Sequence, residues 1–189
     1  MLAGPDPEEF LDTALQALST DTNWRAVVDD LPVPIYVTDA EGTVTYCNPA
    51  CIDFSGHRPE LGTDRWCAGL KVFTTTGQWM PHDQCPMEIA LREKQIIRDV
   101  IVIAERADGS RMAFRPYPTP LLDENGTMTG AVNMLIDVTD EQSQTLQEQA
   151  ERCRRLAGAL YNRESTTALE GMADGFERTA SELRTRRKT

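Results

Sequence analysis

The stretch VPIYVTDAEGTVTYCN, residues 33–48, carries most of the information about the fold. Apolar and polar residues alternate on either side of an Ala-Glu-Gly turn, and many are β-branched or aromatic, which is typical of two strands joined as a hairpin. Asn48 and Pro49 then favour a helix start, because asparagine caps the first turn and proline fits its first position. Gly56 would end that helix after about two turns. The stretch predicts a hairpin that leads directly into a short helix.

Three β-rich runs follow one another between residues 96 and 140: IIRDVIVIAERADGS, RMAFRPYPTPLLDENGT and MTGAVNMLIDVTD. Asp108-Gly109 and Asn125-Gly126 stand between them, and such dipeptides are strong signals for hairpin turns. We therefore expect three long antiparallel strands. Alternate positions of the middle run are proline, so the missing N–H groups would point the same way, as at a sheet edge or a bulge. These prolines are Pro116, Pro118 and Pro120.

Helices are predicted before the hairpin and between the two groups of strands. The segment DPEEFLDTALQALS places five apolar residues on one helical face, and TNWRAVVDDL follows as a second short helix. The segment CPMEIALREKQ begins with a proline suited to a first helical turn, which predicts a helix of about three turns. Glycines between Leu70 and Met80 indicate a small hairpin. The face of the first helix consists of Phe10, Leu11, Ala14, Leu15 and Leu18.

This order of elements predicts an α+β fold. We expect a five-stranded antiparallel sheet with short helices on one face, flanked by N-terminal and C-terminal amphipathic helices. The predicted parts are an N-terminal amphipathic helix over residues 1–23, the sheet domain over 24–140, and a helical segment over 141–189.

Charge and hydropathy limit the classes of partner. The net charge of −11 argues against a nucleic-acid or anionic-membrane surface. No stretch approaches the ~20 apolar residues that span a bilayer, and the start MLAGPDPEEF has no signal-peptide pattern. We therefore expect a cytoplasmic protein that binds neither nucleic acid nor membrane. The bases of the tail LRTRRKT are interpreted as solvated charges at a helix end.

Three motifs in this order resemble the PAS sensor-domain family. The turn Asp39-Ala40-Glu41-Gly42 resembles the aspartate-x-x-glycine turn of its first two strands, and Asn48-Pro49-Ala50 resembles its helix start. Asp137-Val138-Thr139-Asp140 resembles the signature at the end of its last strand. The segments ELGTDRWC and PHDQCPMEIAL are similar to a subgroup attached to bacterial sensor kinases. The resemblance covers Trp24 to Gln142 and implies a PAS fold.

The last strand passes into a helix without a loop, at LIDVTDEQ. Asp137 and Thr139 carry short oxygen-bearing side chains that can bond backbone groups at the strand end and in the first helical turn. We interpret these two residues as a signal junction that fixes the direction of the helix, while a role as simple helix caps is compatible with the same bonds.

The helical tail carries two apolar stripes. The first has spacings of 4, 3, 4 and 3, the a/d pattern of a coiled coil, and YNRES interrupts it before the second. The segment resembles short helical-hairpin segments of other bacterial proteins. We therefore favour a helical hairpin over one long dimerising helix. The stripes are Leu146, Ala150, Cys153, Ala157 and Leu160, then Leu169, Met172, Phe176, Ala180 and Leu183.

A ligand pocket, if present, would lie between the inner face of the sheet and the short helices. The pattern alone does not separate a cavity from a filled core. The predicted lining residues are Ile35, Val37, Phe54, Met87, Leu91, Ile101, Ile103, Phe114 and Met134.

Cysteines and histidines give no clear cofactor signal. Five cysteines without a C-x-x-C pair indicate neither a disulfide framework nor a zinc finger. Cys47 and Cys51 are interpreted as inert thiols, with a redox pair as the alternative. We expect no cofactor and no metal. The alternatives are haem bound through His82, which precedes the helix that carries the haem ligand in family members, and a metal at Cys67, His82 and Cys85.

Other cofactor and effector chemistry is not indicated either. The helix after Asn48 lacks the asparagine-cysteine-arginine run of flavin-photoadduct relatives. Neither histidine kinase nor cyclic-dinucleotide enzyme signatures occur, so we expect no enzyme in the chain. His57 is interpreted as a surface residue.

The resemblance implies a sensory, signal-transduction protein of a bacterial two-component type. It would couple a small ligand, a redox change or a partner to a rearrangement of the terminal helices. The alternative is a ligand-free interaction or dimerisation module that acts on a kinase or regulator in trans. Because amphipathic helices flank the sheet at both ends, we expect a homodimer.

Overall fold

The structure is a computed structural model and describes residues 6–20, 23–65 and 70–184. These residues form two compact units. The first contains the described residues up to Leu70 together with 81–100 and 115–136, and the second contains 71–80, 101–114 and the described residues from Asp137 onward. The fold is α+β, with antiparallel strands and helices flanking them at both ends, as the sequence predicted.

The described part of the chain contains six α-helices and seven strands. The helices are α1 (Pro7–Thr20), α2 (Trp24–Asp29), α3 (Pro49–Ser55), α4 (Pro86–Glu93), α5 (Thr139–Ala159) and α6 (Arg163–Arg184). The strands are β1 (Ile35–Asp39), β2 (Val44–Cys47), β3 (Lys71–Phe73), β4 (Val102–Glu105), β5 (Arg111–Pro116), β6 (Thr119–Leu122) and β7 (Met128–Asp137). A 3-10 turn over His82–Gln84 precedes α4.

The predicted hairpin is present in the first unit, where β1 pairs antiparallel with β2. Asp39 closes its turn, since its Oδ1 accepts the backbone N–H groups of Glu41 at 3.1 Å and Thr43 at 2.8 Å. Gly42 has a φ of 84°, which residues with a Cβ seldom adopt. β1 also pairs antiparallel with β7, and β6 pairs with β7.

α1 and α2 cover one face of β1 and β7. The predicted apolar face of α1 is confirmed, because Leu11 and Ala14 are buried in this cluster and Phe10, Leu15 and Leu18 pack against it. Burial of this apolar surface holds the N-terminal helices to the first unit. The buried cluster comprises Leu11, Ala14, Val28, Ile35, Val37, Tyr46, Tyr117, Val132 and Met134.

In the second unit, β4 pairs antiparallel with both β3 and β5. The Asp-Gly turn between β4 and β5 forms as predicted: Asp108 Oδ1 accepts the N–H of Ser110 at 2.7 Å, and Gly109 has a φ of 78°. The small predicted hairpin is also present, since Phe73 bridges to Trp79.

The predicted middle strand of the last third is interrupted. β5 ends at Pro116 and β6 begins at Thr119. Tyr117, between them, donates its N–H to Asn133 Oδ1 at 2.9 Å and to the Met134 carbonyl at 2.8 Å. Because the prolines on either side of Tyr117 have no N–H, regular pairing cannot continue through this stretch, and one predicted strand becomes two.

The helical tail folds as a hairpin, so the alternative of one continuous helix was wrong. α5 ends at Ala159, and Leu160 has an extended backbone with φ −98° and ψ 143°. Ser143 Oγ donates to the Ala180 carbonyl at 3.2 Å, and Ala150, Cys153 and Ala173 form a buried cluster between the two helices. Residues 185–189 of the basic tail lie outside the described residues.

Candidate functional site

A row of polar side chains crosses three strands of the first unit. Cys47 of β2 lies opposite Tyr36 of β1, and Tyr36 lies opposite Asn133 of β7. Residues directly opposite each other in antiparallel strands share a face of the sheet, so these three side chains form one row, which we call the inner row. Thr38 lies two residues after Tyr36 and therefore on the same face.

Tyr36 and Asn133 of the inner row are buried and joined by a hydrogen bond, whereas Cys47 is partly exposed. Asn133 Nδ2 donates to the Tyr36 hydroxyl at 2.9 Å, and Asn133 Oδ1 accepts the N–H of Tyr117 at 2.9 Å. Thr38 is only 2% exposed, and its Oγ1 has no hydrogen-bond partner among the described residues. Since buried polar atoms normally find a partner, Thr38 Oγ1 is an open hydrogen-bonding position on this face.

Three of the predicted pocket residues lie on the opposite face. Ile35, Val37 and Met134 pack in the cluster covered by α1 and α2. Strand alternation separates them from the inner row, because successive side chains point to opposite faces. The sequence pattern did not distinguish the two faces, since both sides of β1 are buried.

The other six predicted pocket residues occupy several elements. Met87 and Leu91 are buried on α4, and Phe54 is half-buried on α3, all in the first unit. Ile103 and Phe114 are buried in β4 and β5 of the second unit, and Ile101 precedes β4 half-buried. A ligand pocket lined by the nine residues stays a prediction. Tyr36, Thr38 and Asn133 are not among the predicted site residues; their signal in the sequence was the polar Asn133 within the apolar run VNMLI.

Asn48 connects the start of α3 to its surroundings and is 0% exposed. Its Oδ1 accepts the N–H groups of Ile35 and Cys51, both at 2.9 Å. Its Nδ2 donates to the carbonyls of Val28 at 3.1 Å and Val33 at 2.9 Å. The predicted N-cap is confirmed, and the same side chain also binds the end of α2 and the start of β1.

The Cys47 thiol donates to the Asn48 carbonyl at 3.7 Å, and the same oxygen accepts the Cys51 N–H at 3.1 Å. The neighbouring Cys51 thiol lowers the pKa of the Cys47 thiol, partial burial opposes the shift, and the nearby Arg58 charge adds to it. The Cys47 thiol, together with burial, raises the pKa of Cys51 well above its usual range. Cys51 is buried, whereas Cys47 is partly exposed.

The two histidines stand at the surface. His82 is exposed in the 3-10 turn before α4, and His57 Nε2 lies 3.7 Å from Asp64 Oδ2. Cys67, one member of the metal trio considered from sequence, lies outside the described residues. Within residues 6–20, 23–65 and 70–184, no group of three or more histidine, cysteine or acidic side chains is placed to hold a metal ion.

The predicted signal junction has a defined geometry in the second unit. Thr139, the first residue of α5, accepts the N–H of Ala113 on its Oγ1 at 3.0 Å and donates that hydroxyl to the Ala113 carbonyl at 3.3 Å. Val138 also donates its N–H to the Ala113 carbonyl at 3.0 Å. Asp137 Oδ1 accepts the N–H of Thr139 at 2.9 Å. The structure thus joins the first turn of α5 to the middle of β5, a contact that the sequence did not identify.

Arg111 of β5 makes a second link to the helical hairpin. Its guanidinium donates to Glu105 Oε2 twice, at 3.1 Å each, and to Glu182 Oε2 of α6 at 2.5 Å. The guanidinium carbon also lies 4.2 Å from the centre of the Phe73 ring. A guanidinium can make all of these contacts at once because it is planar and carries five N–H donors.

Comparison with known proteins identifies the family. A family profile described as PAS fold matches residues 28–143, which is well over half of the chain. The chain belongs to the PAS fold family. The matched region of this PAS protein contains the Asp39 turn, the Asn48 helix start and the strand exit at Asp137.

Individual relatives are more distant. Over 151 residues, the PAS protein is 25% identical to the blue-light-activated histidine kinase of Brucella ovis, and the match covers 78% of this chain and 30% of the kinase. A solved RNA-binding light-oxygen-voltage receptor is 22% identical with a TM-score of 0.52, over 80% of this chain and 40% of the receptor. A PAS domain from Colwellia psychrerythraea is 20% identical with a TM-score of 0.46, over 59% of this chain and 91% of that chain.

These similarities have limited scope. The chain spans less than half of the length of the kinase and of the receptor. At this level of identity, the likeness to the receptor shows the PAS fold and no ligand or activity. No helix in the described part of the PAS protein is long and apolar enough to cross a membrane.

Proposed function

We propose that the chain is a sensory, signal-transduction module whose PAS domain controls the arrangement of its terminal helices. The signal is a small ligand, a redox change or a partner, and the chain itself supplies no effector enzyme. The observation that carries this proposal is the double hydrogen bond between the Thr139 side chain and the backbone of Ala113.

Thr139 supports this role because its hydroxyl bonds both the N–H and the carbonyl of Ala113, as the backbone of a neighbouring strand would. Ala113 is buried, and an unpaired buried backbone group costs about 1–3 kcal/mol. A displacement of β5 would therefore move the first turn of α5 or break these bonds. A junction that has two arrangements can carry a signal, since a stimulus acts by favouring one arrangement over the other.

Arg111 would transmit the same displacement to the second helix of the hairpin. Its side chain is mostly buried, so its pairs with Glu105 and Glu182 are less screened than surface ion pairs. β5 of the second unit is thus bonded to both α5 and α6.

A homodimer is the form in which we expect the hairpin to act. Several large apolar side chains of the hairpin are exposed, and contact between two copies would remove their apolar surface from water. The target in trans would be a sensor kinase or regulator, as the similarity to a histidine kinase suggests. The exposed residues are Leu156, Leu160, Tyr161 and Met172.

We propose no resident chromophore or metal for this role. A diffusible ligand would use the polar groups of the inner row, where Thr38 Oγ1 is open, and the predicted apolar side chains of α3 and α4 would complete its site.

Hydrogen–deuterium exchange of the full chain tests the proposal. Thr139→Val keeps the β-branched shape and removes the hydroxyl, so exchange should accelerate over residues 138–160. Protection of the strands at 102–105 and 130–136 should stay unchanged. Thr139→Ser keeps the hydroxyl and should behave like the wild type. Asp137→Ala should have a smaller effect than Thr139→Val, because the exposed carboxylate makes one bond at the junction.

Thr145→Val is the matched control, since it removes a half-buried hydroxyl that donates only within the same helix, to the Glu141 carbonyl. It should leave exchange at residues 138–145 unchanged. Equal acceleration in every strand of the Thr139→Val variant would show that Thr139 only stabilises the fold. No acceleration anywhere would show that other contacts hold the junction. Either result would overturn the proposed coupling.

A further inference from the structure

We propose that Cys47 and Cys51 form a dithiol site that low-molecular-weight disulfides, such as glutathione disulfide, oxidise to an intramolecular disulfide. The proposal concerns the first unit and is independent of the junction at Thr139. Sequence alone favoured inert thiols here, and the geometry of the strand-to-helix turn points to the alternative.

The turn between β2 and α3 holds the two thiols together. Cys47 is the last residue of β2 and Cys51 is the third residue of α3. The Asn48 side chain fixes the turn by accepting the Cys51 N–H at 2.9 Å, and the Asn48 carbonyl accepts the same N–H at 3.1 Å. Cys47 Sγ lies 3.7 Å from the Asn48 carbonyl oxygen, the atom that also accepts the Cys51 N–H, so both cysteines meet at the start of α3 and their sulfur atoms can approach without unfolding the helix.

The two thiols differ in the way that a stepwise reaction requires. Cys47 is partly exposed, and its lowered pKa favours the thiolate, which is the nucleophile in thiol–disulfide exchange. Cys51 is 6% exposed, and the neighbouring Cys47 thiol and burial raise its pKa, so it stays protonated and is shielded from outside reagents. Cys47 therefore reacts first and Cys51 second.

The exchange has two steps. The Cys47 thiolate attacks one sulfur of the disulfide RSSR, which forms a Cys47–SR bond and releases RS⁻. Cys51 gives its proton to the released RS⁻, and the resulting thiolate attacks the Cys47 sulfur. The Cys47–Cys51 bond forms as the second RS⁻ leaves and takes up a proton from water. Two protein thiols are oxidised, and one external disulfide is reduced to two thiols.

Oxidation would alter the inner row directly. Cys47 lies opposite Tyr36, whose hydroxyl bonds to Asn133 of β7. A bond from Cys47 to Cys51 turns the Cys47 side chain toward α3. The side chain that lies opposite Tyr36 on β2 is then changed. The dithiol is thus placed where its oxidation state can influence the buried polar face of the sheet.

Oxidation of the full chain with glutathione disulfide, followed by alkylation and tryptic digestion, tests the proposal. Cys47 and Cys51 share one tryptic peptide, residues 26–65, which contains no other cysteine, since trypsin does not cleave between Arg58 and Pro59. We expect this peptide to lose two hydrogen atoms, to resist alkylation, and to recover both thiols with dithiothreitol. A peptide that stays reduced would overturn the proposal, as would one that stops at a glutathione adduct on Cys47.

Variants test the role of each thiol through the alkylation rate of Cys47 at neutral pH. Cys51→Ala removes the neighbouring thiol that lowers the Cys47 pKa, so the rate should fall about tenfold as the thiolate fraction falls. Cys51→Ser keeps a hydroxyl at this position and should retain most of the rate. Cys153→Ala, a buried cysteine of the helical hairpin, is the control and should match the wild type. Equal rates in Cys51→Ala and wild type would show that Cys51 does not activate Cys47. If Cys51→Ala does not fold, the wild-type digest still decides.

Discussion

Asn48 shows how much a single side chain can hold in this domain. It belongs to the predicted Asn48-Pro49 helix start, a motif made by neighbouring residues. Two of its four hydrogen bonds nevertheless go to the distant carbonyls of Val28 and Val33. An ordinary N-cap uses only the oxygen of the amide. Here the nitrogen is used as well, so the side chain is fully paired in a site that water does not reach.

Replacement of Asn48 should therefore destabilise the protein more than replacement of an ordinary cap. Asn48→Ala leaves buried backbone groups unpaired, and we expect a loss of about 3 kcal/mol in the free energy of unfolding. Asn162→Ala is the matched variant, because Asn162 Oδ1 accepts the Ser165 N–H at 3.1 Å at the exposed start of α6. It should cost about 1 kcal/mol or less. Urea unfolding measures both, and equal losses would contradict the bonding described for Asn48.

Thr38 presents the opposite case, a buried hydroxyl without a partner among the described residues. Thr38→Val has the same shape and removes the unpaired oxygen, so the unliganded protein should gain about 1 kcal/mol in the free energy of unfolding. Thr179→Val is the control, because that hydroxyl donates to the Gly175 carbonyl at 3.1 Å, and it should lose stability. A loss at Thr38 as large as the loss at Thr179 would show that the Thr38 hydroxyl is paired in solution.

At the scale of elements, the helical hairpin is held by small buried side chains. Ala150 and Ala173 are fully buried where α5 meets α6, and Leu169 and Phe176 pack against them. Arg154 adds ion pairs with Asp174 and Glu177 on the exposed side. Because exposed pairs contribute about 0–1 kcal/mol, close packing and not charge should determine the stability of the hairpin.

Ala173→Leu should separate the two helices. A larger side chain in a filled interface costs about 1–3 kcal/mol, so the helical signal in far-UV circular dichroism should be lost at lower urea concentration. Ala168→Leu places the same side chain on the exposed side of α6 and should change stability by about 0.5 kcal/mol or less. Arg154→Ala should also have a small effect. If Arg154→Ala were the most damaging of the three, the ion pairs would be the main support of the hairpin.

At the scale of the whole molecule, we expect a homodimer. Light scattering of the full chain at micromolar concentrations should give twice the monomer mass. Leu156 and Met172 are 49% and 52% exposed on the hairpin, and a charge there would have to be buried in an interface. Leu156→Glu and Met172→Glu should therefore shift the protein to a monomer.

Leu61→Glu is the control for the dimer, because Leu61 is exposed and belongs to the first unit, not to the helical hairpin. It should leave the dimer intact. A wild-type protein that stays monomeric across this concentration range would contradict the prediction, and the hairpin would then be free for a partner in trans.

The sequence by itself determined the local elements of this protein. Short-range contacts specify the backbone conformation at Asp39, at Asn48 and at the Asp-Gly and Asn-Gly turns. The apolar periodicity of α1 specified its buried face. The order of these elements predicted the α+β class, and the resemblance of three motifs to the PAS family implied the PAS fold, which the family match then established.

Only the tertiary structure decided which face of a strand meets which neighbour. Both sides of β1 are buried, so periodicity could not show that Ile35 faces α1 while Tyr36 joins the inner row. The bonds between Asn133 and Tyr36, and between Thr139 and Ala113, join residues 97 and 26 positions apart. Strand register and chain path create such contacts, because a side chain's own sequence neighbours carry no information about a distant residue that the fold brings beside it.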